Sequence, residues 1–241
     1  MTRRKILKIL FFDTSAKVAK AFVIDNGVRL SEGSDVGEKT HASNLLPVID
    51  EVLRRSGLGL SDIDIIGVAN GPGSYTGLRI SVSAAKLLAY GAGKPLVTVN
   101  TTDYLAACCG FGTFDYKVVL IDARNGLNYY SVYGKDGESV FGVKSDYVAD
   151  ICEMLKSEFA GGSFVFTGDG AVNNRQIIEE KMSGVKFAIA AENEAFGCFE
   201  GAFAAVSEKY NKTSDKELFR PERAAADYYK GVHITPRKDS K

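Results

Sequence analysis

A chain of 241 residues has length enough for one large domain or two small ones with a sizeable core. Thirty Lys and Arg balance thirty Asp and Glu, so no global field draws it to nucleic acid or a membrane; service to RNA would run through a partner or a local patch. Two histidines, His41 and His233, count against a histidine-rich metal site, and no apolar run reaches transmembrane length. Cys108, Cys109, Cys152 and Cys198 form no C-x-x-C pair and read as buried, reduced thiols of a cytoplasmic protein. Arg3, Arg4 and Lys5 precede an apolar run, but Lys8 interrupts it, Asp13 ends it and no small-residue cleavage site follows. The three charges read as solvated, and the segment does not read as a leader.

In chain order, Ile6 to Phe12 predicts a first strand, ending at Asp13-Thr14-Ser15. Val18 to Ile24 predicts a second, and Asn26-Gly27 is a hairpin signal leading to a more polar third strand, Val28 to Val36, near a sheet edge. His41 to Ser56 carries Leu45, Leu46, Ile49, Val52 and Leu53 at the spacing of one helical face, with Gly57 as its C-cap. A buried strand at Ile63 to Ala69 leads through Asn70-Gly71-Pro72-Gly73-Ser74-Tyr75-Thr76-Gly77-Leu78-Arg79 into a helix that runs to Tyr90 and closes at Gly91 and Gly93. A strand over Pro95 to Val99 and a helix near Thr102 to Cys109 complete the first half. The pattern then restarts. Strands at Lys117 to Ile121, Leu127 to Tyr133 and Ser139 to Val143 precede a helix at Val148 to Phe159 and a strand at Phe164 to Thr167 ending in Gly168-Asp169-Gly170. A helix near Asn174 to Lys181, a strand near Val185 to Ile189 and a helix from Glu194 to Tyr210 follow; the charged tail after Pro236 reads as disordered.

The order β-β-β-α-β-α-β thus occurs twice, each copy opening on a strand that ends in Asp. The repeat is one of pattern and not of residue identity. This layout resembles the duplicated actin-like ATPase (ASKHA, ribonuclease H-like) α/β fold. The expected division is a first lobe over 1–110, a reduced second lobe over 111–220 and a partly disordered C-terminal segment over 221–241. In that superfamily, one turn per lobe faces nucleotide phosphates across a cleft. Asp13-Thr14-Ser15 and Asp122-Ala123-Arg124 match those turns, and Gly168-Asp169-Gly170 falls where a nucleotide contact is expected. Amides and hydroxyls there can hold phosphate oxygens, and carboxylates can hold Mg²⁺ through water. The turn after Asp13 carries no glycine, however, so its amides are not free to point one way, and the site reads as vestigial. An active small-molecule kinase or ATPase using Asp13 and Asp122 with Mg-ATP is the alternative.

Asp13-Thr14-Ser15, His41 with Leu45-Leu46-Pro47, the string Asn70 to Arg79 and Ile121-Asp122-Ala123-Arg124 resemble the TsaB (YeaZ) family. The resemblance runs from Ile6 to Arg124 and, more weakly, through Gly168-Asp169-Gly170 to Leu218-Phe219-Arg220. It implies an actin-like protein without catalysis of its own, the partner of the related catalytic subunit TsaD, working with the ATPase TsaE. That system transfers threonylcarbamoyl from its adenylate to N6 of adenosine 37 in tRNAs reading ANN codons. The tRNA is met through the complex, and ATP with Mg²⁺ at the level of the complex only. The catalytic relative holds a metal through His-x-x-x-His; here Thr101 and Leu105 stand at those places, and leucine cannot ligate a metal. No metal site is therefore expected, and the metallopeptidase reading of this wider group finds no support.

The same resemblance implies that the helices Ala42–Ser56 and Ser74–Tyr90 pair with the equivalent helices of TsaD, or of a second copy of this chain. Leu45, Ile49, Gly77, Ile80, Ser81, Ala84 and Leu88 are the expected contacts, with Leu78, Val82 and Ala85 on the same helix; the other reading packs that surface on the chain's own sheet. Arg79 near a helix N-terminus opposes the dipole and asks for a compensating group, such as a carboxylate. His41, just before a helix, reads as a cap or surface residue.

Overall fold

The computed structural model describes residues 7–35, 44–110, 112, 114–191 and 195–229. His41, His233, the Arg3–Lys5 cluster, the start expected for the last helix at Glu194 and the tail after Pro236 lie outside the described residues. Strands β1 (Lys8–Asp13), β2 (Ala19–Asp25), β3 (Val28–Asp35), β4 (Ile65–Ala69) and β5 (Leu96–Val99) form one sheet in the order β3-β2-β1-β4-β5. Strands β6 (Tyr116–Asp122), β7 (Leu127–Gly134), β8 (Ser139–Tyr147), β9 (Phe164–Thr167) and β10 (Phe187–Ile189) form a second, read from the other edge as β8-β7-β6-β9-β10. Position for position the two orders are the same. In each, the first three strands are antiparallel and the last two run parallel to the first. The duplicated two-lobe α/β fold is present.

Local chemistry sets the corners. Asn26 and Gly27 take φ of 48° and 82°, the paired positive values of the tight turn that matches strand twist. Helix α1 (Leu45–Ser56) ends at Gly57, which is left-handed at φ 71°. Helix α2 (Tyr75–Ala92) starts on Ser74, whose Oγ accepts the Gly77 amide, and ends at left-handed Gly93.

Period-two alternation divides the first sheet's faces. Leu10, Phe12, Val23, Ile66 and Val68 meet α1 and α2, which share that face. Ile9, Phe11, Phe22, Ile24 and Ile65 point the other way, onto α3 (Thr101–Cys108) and the last helix, Phe199–Lys212. From the second sheet Val119, Ile121, Tyr129 and Tyr133 enter that same cluster, so one core spans both lobes. The second sheet's outer face packs on α4 (Val148–Glu158) and α6 (Arg175–Lys181). Among the described residues no helix is long and apolar enough to cross a membrane.

Two expectations are corrected. Gly168-Asp169-Gly170 is no open turn: Gly168, at φ 94°, is the N-cap of a short helix, α5 (Asp169–Asn173). The last helix, α7 (Phe199–Lys212), follows the second sheet in sequence but packs on the first, because Ala202 and Val206 fill the face left by Ile9, Phe11 and Val97. Beyond it, Ala224–Tyr229 returns across the glycine loop; the Asp227 amide donates to Asn70 O at 2.7 Å.

Candidate functional site

The two strand-end turns are built alike. In each, an Asp oxygen accepts an amide two residues on: Ser15 N–H to Asp13 Oδ1, and Arg124 N–H to Asp122 Oδ1, both at 2.7 Å. Around that shared feature the lobes diverge. Asp13 is buried, and its second oxygen accepts from Ser15 Oγ at 3.0 Å. Burial pushes its pKa above the ordinary carboxylate value, against the lowering effect of the Ser15 bonds and of Lys20.

The glycine loop closes over this turn. Ser74 N–H donates to Ser15 O at 2.7 Å, and Thr14 Oγ1 donates to Gly77 O at 2.7 Å. A Cβ on Gly77 would stand 2.0 Å from Thr14 O, and one on Gly73 would stand 2.6 Å from Ser15 O. Gly71 is left-handed at φ 127°, and its Cβ position falls 2.3 Å from Asp227 O in the returning C-terminal segment. The glycines therefore serve close backbone packing inside the chain. The Ser74 and Gly77 amides, which begin α2, have partners of their own.

In the second lobe Asp169 Oδ1 accepts the Asp122 amide at 3.0 Å, and Asn173 Nδ2 reaches Asp122 Oδ2 at 3.5 Å. Burial lifts the Asp169 pKa to about 6; the Asp122 and Gly170 backbone bonds and Lys17, from the first lobe, pull it down. The turn residues Arg124 and Asn125 are left-handed without being glycine, at φ 64° and 56°. Between the lobes a cavity of about 350 Å³ is lined by Gly73–Thr76, Asp122–Arg124, Tyr129 and Asp227–Tyr229. The structure thus brings the glycine loop and the Asp122 turn to one cleft and buries Asp13 beneath the loop.

Thr101 and Leu105 are both buried, and among the described residues no group of three or more His, Cys, Asp and Glu side chains is placed to hold a metal. Their helix instead ties the lobes together: Tyr133 OH on β7 donates within reach of Thr102 Oγ1 at 2.8 Å and Asp103 Oδ1 at 2.7 Å. Ser131 Oγ lies 3.2 Å from the same threonine oxygen.

The expected contact residues also separate. Leu45, Ile49, Gly77 and Ser81 are buried in the chain's own core, and Ile80, Ala84 and Leu88 lean on it. The outer stripe of α2 is rotated from that row and carries Tyr75, Arg79, Ser83, Leu87 and Tyr90 at intervals of three or four residues. Leu87 and Tyr90 are each 71% exposed, Tyr75 50%, and Leu46 on α1 53%. That spacing was visible in the sequence. Small residues suggested close approach, but they serve the sheet beneath. Among the described residues no carboxylate pairs with Arg79: its guanidinium lies over the Tyr75 ring and donates to the Tyr75 hydroxyl at 3.2 Å. Sequence reasoning also missed the C-terminal strap, where Tyr228 packs on Tyr75 at 4.8 Å between ring centres. Tyr229 OH accepts from Asn100 Nδ2 at 2.7 Å.

Residues 35–230 match the family profile described as TsaD, tRNA N6-adenosine threonylcarbamoyltransferase. The tRNA threonylcarbamoyladenosine biosynthesis protein TsaB of Bacillus subtilis is 32% identical over 178 residues, covering 72% of this chain and 76% of that one. The protein of the same description from Haemophilus influenzae is 34% identical over 126 residues, which is 52% of this chain and 53% of the relative. The chain thus spans about half the length of some curated relatives that it matches and about three quarters of another. YeaZ from Pseudomonas aeruginosa superposes with a TM-score of 0.68 at 22% identity, covering 92% of this chain and 99% of that one, which shows a common fold. On the B. subtilis relative and the family profile together, the chain belongs to the TsaB (YeaZ) family of tRNA threonylcarbamoyladenosine biosynthesis proteins.

Proposed function

We propose that this chain is a non-catalytic docking subunit in the threonylcarbamoylation of adenosine 37 in ANN-decoding tRNAs. Its partner is a TsaD-like catalytic protein, which transfers threonylcarbamoyl from the adenylate; a TsaE-like ATPase joins the pair, and tRNA is met through the complex in the cytoplasm. The observation that carries the reading is the exposed stripe Tyr75, Leu87 and Tyr90 on α2, with Leu46 also exposed on α1. Apolar side chains this exposed, in a row on an 18-residue helix, fit a helix-on-helix contact. The closed first turn supports the absence of chemistry in this chain alone. Both Asp13 oxygens are engaged by Ser15, and the loop that would cradle phosphate is pressed onto Thr14 and Ser15. Mg-ATP belongs to the level of the complex only, and a second copy of this chain competes for the same stripe.

The test is pull-down of the TsaD-like protein from its own organism by Leu87→Arg with Tyr90→Asp. Loss of association with an unchanged circular dichroism spectrum is expected. Association equal to wild type from a folded double variant sinks the docking surface. ATP turnover by the purified chain, lost in Asp13→Ala, would instead favour the kinase reading.

A further inference from the structure

The chain crosses between lobes twice, after α3 and before α7, and each crossing carries a cysteine. Cys108 ends α3, and Cys198 is the N-cap of α7. The Cys198 amide donates to Cys108 Sγ at 2.9 Å. Cys108 Sγ also lies 3.2 Å from Tyr104 O and 3.7 Å from Cys198 O. The approach depends on Gly201, where a Cβ would meet Cys108 Sγ at 2.4 Å and Tyr104 O at 2.7 Å. Two thiols 90 residues apart are thereby held together at the junction of the lobes.

Their surroundings give them different roles. Cys198, half-buried, accepts the Gly201 amide of the first turn of α7 at 3.4 Å. The neighbouring Cys108 side chain and that amide hold its thiol below the ordinary value, opposed by burial and by Glu200. Burial pushes the Cys108 thiol up, and the Cys198 side chain adds to the rise. The Cys198 amide and the Lys20 ammonium, which donates to Gly197 O at 2.8 Å, act the other way. Cys152, buried on the inner face of α4 in the second lobe, is pushed up by burial to about 11 and has no sulfur partner among the described residues.

We propose that Cys198 and Cys108 are a peroxide-sensitive thiol pair, Cys198 the attacking sulfur and Cys108 the resolving one, whose disulfide latches the two interlobe crossings. The Cys198 thiolate attacks one peroxide oxygen, and the O–O bond breaks. Hydroxide leaves, takes a proton and becomes water, and Cys198 is left as a sulfenic acid. The Cys108 sulfur then attacks the Cys198 sulfur; the S–S bond forms as the S–O bond breaks, and the hydroxyl departs with the Cys108 proton as a second water. Peroxide gains two electrons, one from each sulfur. The closed loop contains the whole second sheet, so the bond fixes the base of one lobe against the other. A cellular dithiol reductant reverses it.

The test treats the full chain with hydrogen peroxide, alkylates it and maps peptides without reduction. The expected product is a Cys108–Cys198 link, reversed by dithiothreitol, with Cys198 consumed on the order of tenfold faster than Cys152. Cys109→Ser should keep the link. Cys108→Ser should leave a sulfenic acid at Cys198 that dimedone captures, and circular dichroism checks that both variants are folded. A link through Cys109, a dimedone adduct on Cys108 in Cys198→Ser but none on Cys198 in Cys108→Ser, or equal consumption of Cys152 each overturn the proposal.

Discussion

The strand-end turns at Asp13 and Asp122 begin from the same chemistry and end in different states. Each aspartate holds an amide two residues on at 2.7 Å, as duplicated halves require. The segment after the fourth strand of each lobe separates them. After β4 comes a glycine loop and an 18-residue helix whose first turn lies on Thr14 and Ser15 and closes over the aspartate. After β9 comes the five-residue α5, which places Asp169 behind Asp122 and leaves the turn at the wall of a cleft. The first lobe's turn is therefore closed over by packing, with its aspartate still in place beneath the loop. The difference rests on a few glycines and one buried carboxylate, and both can be altered.

Gly77→Ala gives the largest expected effect. Its Cβ would sit 2.0 Å from a backbone oxygen, so either α2 or the Asp13 turn must move. A loss of about 3 kcal/mol or more is expected in urea unfolding. Gly57→Ala supplies the control, since its Cβ would meet nothing within 4 Å and only its φ of 71° is strained; about 1 kcal/mol is expected. Equal losses from the two would mean that the first turn is not closed by the loop. Gly170→Ala probes the second lobe in the same way, its Cβ falling 2.2 Å from Asn128 Oδ1 and 2.9 Å from the Leu120 carbonyl carbon. It should approach the Gly77 loss, because backbone as well as side chain blocks it.

The second lobe's buried carboxylate sharpens the comparison through pH. Burial raises Asp169 to about 6 in the folded chain from an ordinary value near 3.8. The native state then holds the proton more tightly than the unfolded state does. Its contribution is complete below about pH 4 and is lost as pH rises through about 6, a change of at most about 3 kcal/mol. Asp13, also raised by burial, acts with the same sign. Asp169→Asn keeps an oxygen for the Asp122 amide and removes the charge. Stability at neutral pH should rise by about 2 kcal/mol, and the slope between about pH 4 and 6 should shrink, leaving the part due to Asp13. An unchanged slope would mean that Asp169 ionises as freely folded as unfolded.

Much of the fold was legible because its signals are local. Alternation placed Leu10 and Phe12 opposite Ile9 and Phe11, Asn26-Gly27 marked a hairpin, and the recurrence of β-β-β-α-β-α-β indicated duplication. The site was less legible because its deciding contacts join distant segments. Nothing in Asp13-Thr14-Ser15 says that Gly77 will press on it from 63 residues away. The row of expected contacts on α2 turned out to face the chain's own core for a related reason. Gly77 and Ser81 are small at helical spacing, which fits either a partner helix or the sheet beneath, and only the packed sheet showed that they face inward. Tyr228 and Tyr229 stand in a charged C-terminal stretch whose composition gives no hint that they reach back to Tyr75 and Asn100.

The smallest expected effect tests how the loop itself is held. Ser74 has two separable roles: its amide donates to Ser15 O at 2.7 Å, and its hydroxyl accepts the Gly77 amide at 3.2 Å. Ser74→Ala removes only the second, so the loop stays tied to the Asp13 turn while the first turn of α2 loses a cap. A cost of about 1 kcal/mol is expected in urea unfolding, with Ser74→Asp recovering most of it because a carboxylate also accepts at a helix N-terminus. Amide exchange should quicken at Gly77 and not at Ser74 in the alanine variant. Faster exchange at both would show that cap and tie open as one unit, and that the closure over Asp13 depends on the helix end as much as on the backbone contact beneath it.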